Sequence, residues 1–186
     1  MKIFFDTEFT GLNKNTTLIS IGLVSEDNKT FYAEFTDYDK SQISEWINKN
    51  IISNLILKPH HKKEQNFYND KDGIKIRGDT KLIKENLLSW LLQFNRVEFW
   101  SDVLAYDWVL LQDLIVEYKE GYPILPGNIY YIPFDITTLM KIKGVDTDIT
   151  REKLAFDGEF YEGKIKKHNA LWDAKVIKKC YEKLIK

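Results

Sequence analysis

Asp6 and Glu8 stand two residues apart in the run Phe4-Phe5-Asp6-Thr7-Glu8-Phe9-Thr10-Gly11-Leu12. Side chains alternate faces along a strand, so both carboxylates point the same way, roughly 6.5–7 Å apart at Cα. Like charges on one strand face repel, and apolar neighbours make them costly to desolvate. A divalent cation between them relieves both penalties. The bland alternative is a solvated edge strand bearing two charges. Phe4, Phe5 and Phe9 argue for a buried strand instead.

Two later acidic positions have the same character. Asp173 shares three- and four-residue steps with Ile177, Cys180, Tyr181 and Leu184, which puts it on the apolar face of the last helix. An unpaired charge there is expensive. His168 lies five residues upstream, at the expected helix start. Asp107 follows a short buried strand and enters a helix whose apolar face is Leu110, Leu111 and Leu114. It could cap that helix, and the two roles are compatible.

The elements that must position these groups are legible in outline. Strands are expected at Lys2–Phe9, Leu18–Val24 and Lys29–Phe35, joined by short polar turns as an antiparallel meander. A helix is expected over Ser41–Leu57, with Ile43, Trp46, Ile47, Ile51 and Leu55 on its apolar side. The polar stretch Lys58–Thr80 reads as a loop, and a helix follows at Thr80–Phe94. Then come a short strand at Val97–Ser101, a helix at Trp108–Tyr118, a strand at Ile129–Ile132 and a helix at Asp135–Lys143. Asp146–Lys167 reads as irregular, and a helix at Asn169–Ile185 closes the chain. A meander followed by alternating helices and strands implies a mixed α/β sheet flanked by helices. Trp46 and Trp90 fit core stripes, Cys180 fits core packing, and Trp108 fits a core or a binding role equally.

At 186 residues, with 44% hydrophobic and 14% aromatic residues, a single domain over 1–186 is expected. The net charge of −1 provides no global basic field for long duplex nucleic acid. A short anionic ligand remains compatible if metals supply positive charge. One cysteine excludes an intramolecular disulfide and fits a reducing compartment. The start is too short an apolar run for a signal peptide, and no stretch reaches the ~20 apolar residues of a membrane span, so a soluble, cytoplasmic protein is expected.

Asp6-Thr7-Glu8-Phe9-Thr10-Gly11-Leu12, Ala105-Tyr106-Asp107 and His168-Asn169-Ala170-Leu171-Trp172-Asp173-Ala174 together resemble the three motifs of the DEDDh 3'→5' exonuclease superfamily, which includes ribonuclease T and oligoribonuclease. The closest resemblance is to the compact single-domain exoribonucleases of actinobacteria and phages. Val103 stands where many members carry Asn, which makes Asp102 the competitor of Asp107, and Phe9 stands where Thr is common. The resemblance implies a ribonuclease H-like sheet of five strands, a three-strand antiparallel meander plus two parallel strands. It implies two divalent cations, Mg²⁺ or Mn²⁺, held by Asp6, Glu8, Asp107 and Asp173, with His168 as general base. It implies hydrolysis of single-stranded RNA from the 3' end to nucleoside 5'-monophosphates, and a homodimer. Phe9, Thr10, Gly11, Leu12, Tyr106 and Trp108 are the implied substrate contacts, and Lys164, Lys166 and Lys167 the candidate phosphate contacts. A DNA exonuclease would carry the same catalytic set, and a silent nucleic-acid-binding protein would share the fold.

Overall fold

The structure is a computed structural model that describes residues 1–57, 66–70, 73–157 and 167–186, with the backbone alone for 66–70. Lys164 and Lys166, the histidines at 60 and 61 and the lysines at 62, 63 and 71 lie outside the described residues or side chains. Along the chain run β1 (Lys2–Phe9), β2 (Leu18–Ser25), β3 (Thr30–Phe35), α1 (Glu45–Asn50), β4 (Asn66–Asp70), β5 (Gly73–Gly78), α2 (Thr80–Leu91), β6 (Glu98–Ser101), α3 (Ala105–Ile115), β7 (Glu117–Lys119), β8 (Tyr122–Ile124), β9 (Phe134–Asp135), α4 (Ile136–Ile142), α5 (Arg151–Ala155) and α6 (Ala170–Leu184).

The main sheet has the order β4-β5-β3-β2-β1-β6-β9. β3-β2-β1 is the expected antiparallel meander, and β6 and β9 add to it in parallel. This five-strand core is the ribonuclease H-like arrangement, with β1 at its centre. β1 is hydrophobic on both faces, because helices cover both. Ile3 and Phe5 join the core formed with α2 and α3, while Phe4 joins the one formed with α4, α5 and α6.

Three expectations are corrected. The presumed loop 58–80 contains the hairpin β4–β5, which extends the sheet to seven strands through β3. Its sequence reads as polar because only alternate residues of β5, such as Ile74 and Ile76, join the core while Lys75 and Arg77 separate them. The presumed helix 41–57 breaks into a 3₁₀ turn (Lys40–Gln42), α1 and a second 3₁₀ turn (Ile52–Asn54). Ser44 starts α1 by accepting from the Ile47 amide, and the side chains of Asn50 and Asn54 bond back to the carbonyls four residues earlier. Such local bonds compete with helix continuation. The presumed strand at 129–132 reduces to a single bridge between Ile129 and Val97, and the pairing strand lies further on, at β9.

Two further differences concern the second half. α3 starts three residues earlier than the pattern suggests, which places Asp107 in its first turn, and α5 forms inside the stretch read as irregular. Cys180 is buried, as expected of core packing, with its thiol donating to the Arg151 carbonyl at 3.2 Å; burial pushes the thiol up to about 12. Among the described residues no helix is long and apolar enough to cross a membrane.

Candidate metal and catalytic centre

β1 and α6 bring the centre together by matching lengths. Phe4 meets Tyr181 near the start of β1 and the end of α6, with ring centroids 5.1 Å apart. From Phe4 to Glu8 a strand advances about 13 Å, and from Tyr181 back to Asp173 a helix spans about 12 Å. Asp173 therefore arrives beside the two carboxylates on the α6-facing side of β1. One carboxylate oxygen from each of Asp6, Glu8 and Asp173 lies within 4.8 Å of the others.

The close approach of α6 depends on Gly22. In β2 it pairs directly with Asp6, and a Cβ there would lie 2.3 Å from Ala170 C and Leu171 N. α6 is started by Asn169, whose Oδ1 accepts the Trp172 amide at 3.2 Å. Asp173 falls in the first turn, where the helix dipole favours negative charge.

Asp107 is beside this trio rather than within it. Its Oδ1 accepts from the Thr7 amide at 3.0 Å and from the Thr7 hydroxyl, and its Oδ2 accepts from Ser101 Oγ at 2.8 Å. It makes no N-cap bond: the α3 cap is Leu104, which has no capping side chain. Asp102 is not free to replace it, since it is paired with Arg151 at 2.8 Å and accepts from Thr137. His168 reaches the centre from the residue before the α6 cap, with Nδ1 3.9 Å from Glu8 Oε1.

Electrostatics set the ionisation of this group. Burial, then repulsion from Asp107, Asp173 and Glu8, holds Asp6 well above the usual carboxylate range. Glu8 is pushed to about 8 by burial and by Asp173 and Asp107. Burial and Glu152 raise Asp173 to about 7. Burial raises Asp107 to about 6 against the opposing pull of its Thr7 and Ser101 bonds. Burial, with Lys167 adjacent, lowers His168. Three crowded oxygen donors, without a sulfur ligand and with protons retained for lack of compensating charge, fit a hard divalent cation.

A stability signature follows. These acids bind protons more tightly folded than unfolded, so the folded state is favoured when they are protonated and loses stability as they ionise. We expect the melting temperature of the metal-free protein to fall as pH rises from about 5 through the Glu8 value of about 8, with Asp6 adding to the fall. Each retained proton contributes about 1.4 kcal/mol per pH unit. Scanning calorimetry in EDTA across this range checks it, and millimolar Mn²⁺ should flatten the fall by mass action. A pH-independent melting temperature in EDTA would contradict it.

The surrounding residues divide. Phe9 stacks on Tyr106, with ring centroids 5.4 Å apart and planes 17° apart. Leu12 projects into solvent at 79% exposure, and Gly11 donates its amide to Thr16 Oγ1 at 3.0 Å. Thr10 is buried and its hydroxyl is engaged within the turn by Gln42 and Thr17, so it shapes the loop instead of facing solvent. Trp108, partly buried, packs against the core with its ring centroid 6.1 Å from that of Phe99. Trp46, expected in the core, is 55% exposed and meets the His168 ring edge-on at 5.2 Å. Ile47 and Ile51, one turn apart on α1 and its end, take the buried face with Ile19, and Trp46 falls beside that face.

Two carboxylates on β1 and a third from α6 thus form one acidic cluster whose oxygen donors fit a hard divalent cation. Residues 1–185 match the family model described as the 3'-5' exoribonuclease Rv2179c-like domain, and the chain belongs to that family. Two relatives from Mycobacterium tuberculosis, the 3'-5' exoribonuclease Rv2179c of strain H37Rv and the 3'-5' exoribonuclease MT2234.1 of strain CDC 1551, are each 36% identical over 55 residues. That match spans 30% of this chain and only 33% of each relative. The Neurospora crassa Pan2 catalytic unit, comprising protease and nuclease domains, aligns at a TM-score of 0.48 and 15% identity over 99% of this chain and 27% of its own.

Proposed function

We propose that this protein is a metal-dependent 3'→5' exoribonuclease that removes nucleoside 5'-monophosphates from single-stranded RNA. The observation that carries the reading is the trio Asp6, Glu8 and Asp173, with carboxylate oxygens within 4.8 Å and His168 beside Glu8. Family membership supports the same chemistry.

Asp6, Glu8 and Asp173 would hold divalent cations, with Asp107, bonded to Thr7 and Ser101, as the fourth acidic residue of the set. Bound there, such cations would supply Lewis-acid charge neutralisation for phosphodiester hydrolysis. His168 takes the proton of the attacking water. Its lowered pKa keeps the imidazole neutral, and therefore a proton acceptor, at neutral pH. The Phe9–Tyr106 pair offers an aromatic surface to the terminal base, where stacking contributes roughly 1–3 kcal/mol. Leu12 stands at the rim of the same turn as an apolar wedge. Lys167, about half exposed and 4.0 Å from Glu152 Oε1, would meet a phosphate of the substrate. A homodimer, in which the second copy lends basic surface, would offset the net charge of −1; light scattering tests it.

The direct test is digestion of 5'-labelled single-stranded RNA and DNA of one sequence with Mg²⁺, Mn²⁺ or EDTA. A metal-dependent ladder shortening from the RNA 3' end is expected. Faster loss of DNA would reassign the substrate, and binding without cleavage under every metal would reassign the protein to the silent class.

A further inference from the structure

The junction that carries His168 is gripped by a segment the proposed chemistry does not use. His168 has φ 60°, in the left-handed region. That conformation is disfavoured for a non-glycine residue and persists only where neighbours hold it. On one side, the Lys167 carbonyl accepts from Asn54 Nδ2 at 2.8 Å. On the other, Asn169 Nδ2 donates to the Asn54 carbonyl at 3.3 Å and to the Tyr32 hydroxyl at 3.4 Å. Asn54 thus bonds to both neighbours of His168.

The gripping segment is itself anchored. Glu34 is 1% exposed in β3, and its Oε1 accepts from the amides of Ile56 and Leu57 at 2.7 and 2.9 Å and from the Tyr32 hydroxyl at 2.8 Å. Burying a carboxylate is costly unless its bonds are made; those to Oε1 tie the stretch after Asn54 to the sheet, while Oε2 makes none among the described residues. At the other end of the segment, the Trp46 ring rests edge-on against the His168 ring, with planes 75° apart. Both ends of residues 45–57 therefore converge on residues 167–169.

We propose that Asn54 is a positioning residue for His168: its side-chain amide and main-chain carbonyl clasp residues 167 and 169, so that the left-handed His168 faces Glu8. The inference rests on the reading of His168 as the proton acceptor. An ordinary loop tether would affect overall stability alone, whereas a clasp sets the orientation of one ring. Displacing a proton acceptor by about 1 Å costs up to ~100-fold in rate while leaving substrate contacts in place.

The test uses the full chain with Asn54→Asp, which keeps the shape and deletes the Nδ2 donor, and Asn54→Ser, which shortens the reach. Two readouts are taken: kcat and KM on single-stranded RNA with Mn²⁺, and the nuclear Overhauser cross-peak between the Trp46 and His168 rings without metal. The expected result is a kcat lower by roughly 10- to 100-fold, a KM within about twofold, and loss of the cross-peak. A retained cross-peak, or an unchanged kcat in active enzyme, overturns the clasp. If the wild-type protein cleaves no RNA, the functional reading fails, and the cross-peak alone decides: lost in both variants it supports the clasp, retained it overturns it.

Discussion

Asp6→Asn is expected to abolish RNA cleavage while making the metal-free protein more stable at neutral pH. Asp6 faces Glu8 and Asp173 from the centre of β1, so on the proposed reading a cation held by the trio would be compensated in part by Asp6. Asparagine keeps the shape but removes the charge. Losing a ligand that supports several kcal/mol of transition-state stabilisation corresponds to a rate loss on the order of 10³-fold or more. The stability effect has the opposite sign. Burial and the repulsion of Asp107, Asp173 and Glu8 oppose ionisation of Asp6, and the neutral amide removes that repulsion. Single-turnover cleavage and calorimetry in EDTA at about pH 8 read the two effects. Full activity in the Asp6→Asn variant would remove Asp6 from the centre; an inactive but destabilised variant would mean that the site is not electrostatically strained.

This opposition between stability and chemistry explains why the centre is legible in the sequence. Asp6, Glu8 and Asp173 each violate a local rule, a charge where the strand or helix period calls for an apolar side chain, and such violations point to function. Asp107 is legible only in part. Its place after a buried strand suggests a helix cap, but its carboxylate is taken up by Thr7, 100 residues away in sequence, and by Ser101, 6 residues away. Only the parallel pairing of β1 with β6 brings these groups together. Trp46 is misplaced because it and Ile47 are adjacent in α1 and both fit the apolar stripe, but Ile47, with Ile51 and Ile19, takes the buried face. The β4–β5 hairpin is hidden because Ile74 and Ile76 of β5 alternate with Lys75 and Arg77, so the stretch reads as polar. The contacts from Asn54 to residues 167 and 169 span more than a hundred residues, and no local pattern encodes them. The charged groups of the site announce themselves by their cost; the neutral residues that orient them do not.

Gly22→Ala is expected to damage both fold and activity, although residue 22 has no functional group. Gly22 pairs with Asp6, and an added Cβ would stand 2.3 Å from Ala170 C and Leu171 N and 2.4 Å from Ala170 O. All three are backbone atoms, so no side-chain rotation relieves the clash. Ordinary contact begins near 3.4 Å, so α6 must retreat by about 1 Å at its first turn. Ala170 and Ala174 are fully buried, and the helix is packed against both β1 and β2, so the retreat opens the core. Overpacking of this kind costs about 1–3 kcal/mol. The same shift carries Asp173 away from Asp6 and Glu8 and moves the Asn169 cap next to His168, and a displacement of about 1 Å can lower the rate ~100-fold. Chemical denaturation and steady-state kinetics on Gly22→Ala measure the two effects. Gly127→Ala is the control, because a Cβ there meets no atom within 4 Å. Equal behaviour of the two variants would show that the contact between β2 and α6 does not set the distance from Asp173 to β1.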